Sequence, residues 1–166
     1  ESFFFFYCVA LGLAQGFVEP LEATSILLTD FSAELLARNF PRFQQDIEPL
    51  ANYCNKVVSY TWERIIDFVQ MHYYISGRND TVFWRDNTQS QHVSETLQER
   101  LAMWKIQHPK KSDFFSRFDL FDVDNYLFVL YGMKYVTKGT SISSYETQVS
   151  QAQLQAVKQL SEKLCE

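Results

Sequence analysis

No CxxC pair, no run of twenty apolar residues, no basic excess, no internal repeat and no low-complexity tract occurs in these 166 residues. Each absence removes a class. The three cysteines, Cys8, Cys54 and Cys165, lie far apart, and His72, His92 and His108 fall near none of them. That argues against a zinc site or a disulfide scaffold and fits free thiols in a reducing cytoplasm. A net charge of −5 opposes phosphate-backbone binding, so nucleic acid is not an expected partner. The uncharged run Ser2 to Leu13 is twelve residues long, where a membrane-spanning helix needs about twenty. No membrane association is expected. Only Glu1 precedes that run, and a secretory signal would open on basic residues.

What is present is ordinary in bulk and unusual in one respect. Hydrophobic residues make up 46% and charged residues 21%, which suits one globular domain and not a disordered chain. Aromatic residues reach 16%, with 15 Phe and 9 Tyr, so a substantial core can be built from few side chains.

Ser2 to Leu13 (SFFFFYCVALGL) reads as one fully buried strand. No run of equal strength follows it, so its sheet partners are expected outside this chain, and its Phe-rich edge could drive homodimerisation. The remainder is helical. Ile26, Leu27, Phe31, Leu35 and Leu36 space a first helix from about Leu21 or Thr24 to Arg38. Val58, Trp62, Ile65, Ile66, Val69 and Tyr73 form one stripe of a second, Glu48 to Ser76, with Gly77 just past its end. Ser76 to Asn87 reads as a loop, and Ser90 to Lys105 as a third helix. A fourth is capped by Asp122 or Asp124 and ends at Gly132. Lys138 to Ser144 is linker, and Gln148 to Leu164 a last amphipathic helix. Phe114, Phe115, Phe118 and Phe121 are expected in the core, as is a hydrogen-bonded His72.

The segment Gly12 to Ile26, GLAQGFVEPLEATSI, carries the chemistry. A strand leads through a glycine turn and an extended Glu-Pro into a helix start. Backbone N–H groups in a first helical turn are unpaired and partly positive, so Thr24 and Ser25 can offer an anion site with the Glu22 carboxylate beside it. A plainer reading stands next to it: Glu19 and Glu22 neutralise the helix dipole, and Thr24 is an N-cap.

Cys8 to Ile26 resembles a segment late in the flavin-dependent tryptophan halogenases, where a glycine-containing strand end precedes Phe, Glu-Pro-Leu-Glu and Ala-Thr. The likeness continues through Asn39-Phe40-Pro41, Trp62 to Gln70, His72-Tyr73-Tyr74, Arg78 to Thr81 and Phe83-Trp84-Arg85. It implies a mainly α chain: the helical C-terminal part of an α/β FAD-dependent monooxygenase-like halogenase fold. Residues 1–20 would be the strand and flavin-proximal turn, 21–137 the helical body, and 138–166 linker and last helix. It also implies that FADH₂, delivered by a separate flavin reductase, reacts with O₂ to give a hydroperoxide that chloride or bromide attacks. The hypohalous acid would then reach an electron-rich aromatic small molecule such as an indole, phenol or pyrrole. In these terms Glu22 is the active-site glutamate, and Thr24 and Ser25 bind halide through their N–H groups. Leu13, Gly16 and Ile26 lie against the flavin.

Three features depart from that family. GxGxxG is absent, the essential lysine has no counterpart among Lys56, Lys105, Lys110 and Lys111, and the opening ESFFFFY matches poorly. The expectation is the C-terminal portion of a halogenase, joined to foreign residues at about Tyr7 and inactive alone. The alternative is a non-catalytic helical scaffold derived from the family. The Asp113–Tyr131 stretch lacks the aromatic-plus-glutamate pattern that grips free tryptophan, so no substrate residue is carried over.

Overall fold

The computed structural model describes residues 3–5, 7–138 and 144–164. Most of the expected linker and Cys165 lie outside the described residues. The architecture is mainly helical: β1 (Phe4–Phe5), β2 (Cys8–Val9), α1 (Thr24–Arg38), α2 (Ile47–Tyr74), α3 (Val82–Asn87), α4 (Glu95–Trp104), α5 (Val123–Gly132) and α6 (Ser144–Leu164).

One detail of the start differs from expectation. The apolar run is not a single strand: β1 and β2 pair antiparallel, Phe4 with Val9 and Phe5 with Cys8. The outer side of β1 is met by Asn55 of α2. The Phe4 N–H donates to Asn55 Oδ1 at 2.7 Å, and Asn55 Nδ2 donates to the Phe4 carbonyl at 2.9 Å. A side-chain amide carries one donor and one acceptor, as a peptide does, so it can stand in for a neighbouring strand. Phe3 and Phe4 are thereby buried with Leu35, Ala51, Cys54, Val57 and Val58.

Helix α2 organises everything else. Its buried face carries Ile65, Phe68 and Met71, which meet Leu97, Leu101 and Trp104 of α4 and Tyr126 and Leu130 of α5. Fully burying such side chains stabilises the fold by about 1.5–3 kcal/mol each. Phe68 stacks on Phe121 at 3.9 Å and meets Tyr126 edge-on at 4.8 Å. Ile66 leaves the expected stripe and is half exposed, because a residue adjacent to Ile65 is turned about 100° around the helix. Phe115 is likewise exposed, whereas Phe121 is buried and Phe114 and Phe118 are packed.

The helix ends follow local chemistry. The Asp122 carboxylate caps α5, accepting from the N–H groups of Asp124 and Asn125. Ser94 caps α4, so this helix starts later than the spacing suggested, after a 3₁₀ turn. Thr81 caps α3 within the stretch expected to be loop. Among the described residues no helix is long and apolar enough to cross a membrane. Cys8 is an exposed free thiol and Cys54 a buried one, whose pKa burial raises.

Candidate functional site

Helix α1 begins at a left-handed residue. Ala23, its N-cap, has φ 52° and offers no side-chain cap, so Thr24 is the first helical residue and not the cap. Thr24, Ser25 and Ile26 therefore present first-turn N–H groups with no intrahelical acceptor. Thr24 is fully buried, and its Oγ1 finds no partner.

A 3₁₀ turn, Gly12–Ala14, packs beside this helix start. Between them lies a concavity of about 550 Å³, lined by Leu13, Gly16, Ser25, Ile26, Thr29 and Trp62 among others. Four of the six expected site residues thus share one wall, with Thr24 buried near it. Gly12 needs its lack of side chain, since its φ is +59°. Gly16 needs it for another reason: a Cβ there would stand 2.7 Å from the Trp62 ring. Close approach at Gly16 is thus made by an indole of this chain. Gln15 accepts from Ser32 Oγ at 3.1 Å, while its buried Nε2 has no partner.

Glu22 is not part of that lining. Its Oε1 lies 3.1 Å from Nε2 of His72, whose Nδ1 meets the Phe68 carbonyl at 2.8 Å. Glu19 lies close to Tyr73, and both line a hollow beside α2. Burial first, and Glu19 second, raise the Tyr73 pKa. Glu22 is therefore tied to the last turn of α2, with Glu19 close by, a role that dipole neutralisation at α1 does not describe. His72 is packed and hydrogen-bonded as expected, but its contact with Glu22 was not foreseen. No local signal could reveal a pair fifty residues apart. The same holds for Trp62 and Gln15 at the wall. No group of three or more His, Cys, Asp or Glu able to hold a metal occurs among the described residues.

A family model described as "Tryptophan halogenase" matches residues 2–147. The tryptophan 6-halogenase SttH of Streptomyces toxytricini is 35% identical over 125 residues, covering 75% of this chain and 24% of that protein. The crystal structure of a tryptophan halogenase from Shewanella frigidimarina superposes with a TM-score of 0.87 at 31% identity, over 98% of this chain and 31% of that one. BrvH, a flavin-dependent halogenase from Brevundimonas sp. BAL3, gives 0.80 at 29% identity, over 93% of this chain and 32% of that one. The chain thus spans about a quarter of the length of a curated relative. The family model covers residues 2–147 and the fold matches over 98% of the chain, so the chain belongs to the flavin-dependent tryptophan halogenase family.

Proposed function

We propose that this chain forms the halide and substrate side of a flavin-dependent halogenase acting on an electron-rich aromatic small molecule. The observation that carries the reading is one arrangement: an uncapped helix start, an apolar wall beside it, and a carboxylate held two residues ahead. Thr24 and Ser25 direct first-turn N–H groups to a halide ion, which the partial positive charge of the helix terminus favours. Leu13, Gly16 and Ile26 form the wall for the flavin ring. The residues present suit such a group, because the concavity is largely apolar and Gln15, whose buried Nε2 has no partner, is among its lining residues. FAD held there and reduced by a separate reductase would supply two of the four electrons that O₂ takes up, the other two coming from chloride or bromide as it is oxidised to hypohalous acid. Glu22 orients the halogenating species toward the substrate and accepts a proton as the aromatic ring is substituted.

The test uses the full-length protein that carries this segment, with reduced FAD, O₂, bromide and indole as the probe. Glu22→Gln is expected to lower kcat by about 100-fold or more while leaving the fold intact, as loss of a positioned acid–base group does. Unchanged turnover in Glu22→Gln would overturn the assignment.

A further inference from the structure

We propose that His72 is a positioning residue for Glu22: anchored on α2, its ring fixes the carboxylate oxygen it touches and leaves the other for the reaction. This rests on the role given to Glu22 above. The hydrogen-bond inventory leaves little freedom. The Phe68 carbonyl can only accept, so Nδ1 of His72 carries a hydrogen. Nε2 then faces Glu22 Oε1 at 3.1 Å, and that contact also requires a hydrogen. It sits either on Nε2, opposite a carboxylate, or on the carboxyl group, donating to the bare nitrogen.

The ring is held against rotation. Phe68 meets it edge-on, 4.9 Å between centroids and 89° between planes. The His72 side chain is 15% exposed and that of Glu22 39% exposed, so the rigid partner is the histidine and the mobile one the glutamate. A surface glutamate is otherwise free to sample several rotamers, and ordering it costs entropy at every turnover. Glu19 lies near Tyr73, the next residue of α2, and both line one hollow. The segment that carries Glu22 is thus packed against the last turn of α2. A histidine needed for packing alone would be satisfied by the Phe68 carbonyl and would have no use for the carboxylate.

Turnover in the full-length protein, measured with reduced FAD, O₂, bromide and indole, tests this. His72→Phe keeps the ring and its stacking but removes both nitrogens. It is expected to lower kcat by about 10- to 100-fold with KM for indole and bromide changed less than about threefold, the signature of a misplaced catalytic group. His72→Gln places an amide N–H near the position of Nε2 and is expected to recover most of the loss. Wild-type kcat in His72→Phe alongside an inactive Glu22→Gln removes His72 and leaves Glu22 standing. An active Glu22→Gln removes the Glu22 role itself, and this proposal with it. Equal losses in His72→Phe and His72→Gln mark a packing role and also overturn the proposal. Should His72→Phe fail to fold, ¹⁵N NMR of the imidazole supplies a readout without turnover. Glu22→Gln should then move the Nε2 resonance of His72 while Nδ1 stays protonated, and identical spectra would count against the pair.

Discussion

Two regions of this chain bury polar groups of different kinds. Between α2, α4 and the Phe114–Phe121 loop, four charged side chains are nearly buried in pairs of opposite sign, although Arg64 Nε, Asp67 Oδ2, Arg100 Nη1 and Asp119 Oδ1 each lack a hydrogen-bond partner. Arg64 Nη1 lies 3.1 Å from Asp67 Oδ2, and Arg100 Nη2 3.6 Å from Asp119 Oδ1. Ser94 donates to Asp67 at 2.6 Å, and the Tyr60 hydroxyl and Ser116 N–H donate to Asp119. The two guanidinium groups also rest on aromatic faces, Arg64 on Tyr60 and Arg100 on Phe114. At the start of α1 the buried groups are neutral. Thr24 Oγ1 and Gln15 Nε2 are buried and unpartnered, while Leu13, Phe17, Leu21, Ile26 and Leu27 are exposed. The chain pairs its buried charges with one another in the first region and leaves two neutral atoms without a partner in the second, beside exposed apolar side chains. The first region ties α2, α4 and the loop together, while the second leaves apolar surface uncovered.

The strongest way to break this contrast is at Asp119. Its carboxylate joins Arg100, Tyr60 and Ser116 from separate elements. Asp119→Ala strands the Arg100 cation in the interior, and removing one partner of such a pair costs about 3–5 kcal/mol. Denaturant unfolding would show this as a lower midpoint. A loss under about 1 kcal/mol would mean that the region is not the structural half of the comparison.

Asp67 sharpens the same half through pH. Burial raises its pKa, outweighing the Ser94 hydrogen bond and the Arg64 and Arg100 charges that lower it. A folded pKa above the unfolded value of 3.8 makes the folded state the tighter proton binder. The associated stability is fully present below the unfolded value and is lost as pH rises through the folded one. Asp67→Asn retains an acceptor for Ser94 without the titration. Relative to that variant, the native chain should lose stability as pH rises from about 4 toward 7. Urea unfolding of both proteins across that range checks it, and parallel curves would contradict the assignment.

How much of this was legible in sequence divides along the same line. The long period of α2 and the Gly132 stop of α5 could be read because apolar spacing and caps are local signals. Ile66 and Phe115 escaped because single residues beside a stripe follow it in composition but not in direction. The six residues of α3 gave too short a pattern to set against a polar loop. The hairpin was read as one strand since Phe3 to Val9 contains no Gly, Pro, Asn or Asp to mark a reversal. At the site, Thr24 and Ser25 could be placed at a helix start from order alone. The contact of Glu22 with His72 could not, because it joins segments fifty residues apart and depends on how α2 ends.

The smallest expected effect falls on the other half of the comparison. Ile26 is 80% exposed on α1 and lines the concavity. Surface substitutions that touch no buried partner change stability by less than about 0.5 kcal/mol, so Ile26→Ser should leave the unfolding midpoint almost where it was. If its apolar surface is a wall for the flavin, the same change should weaken FAD binding by the full-length protein, which fluorescence titration reads directly. A variant that folds normally and binds FAD less well would separate the two regions as the contrast requires. One that loses stability instead would place Ile26 with Phe68 and Leu97, as part of a core that this face does not otherwise share.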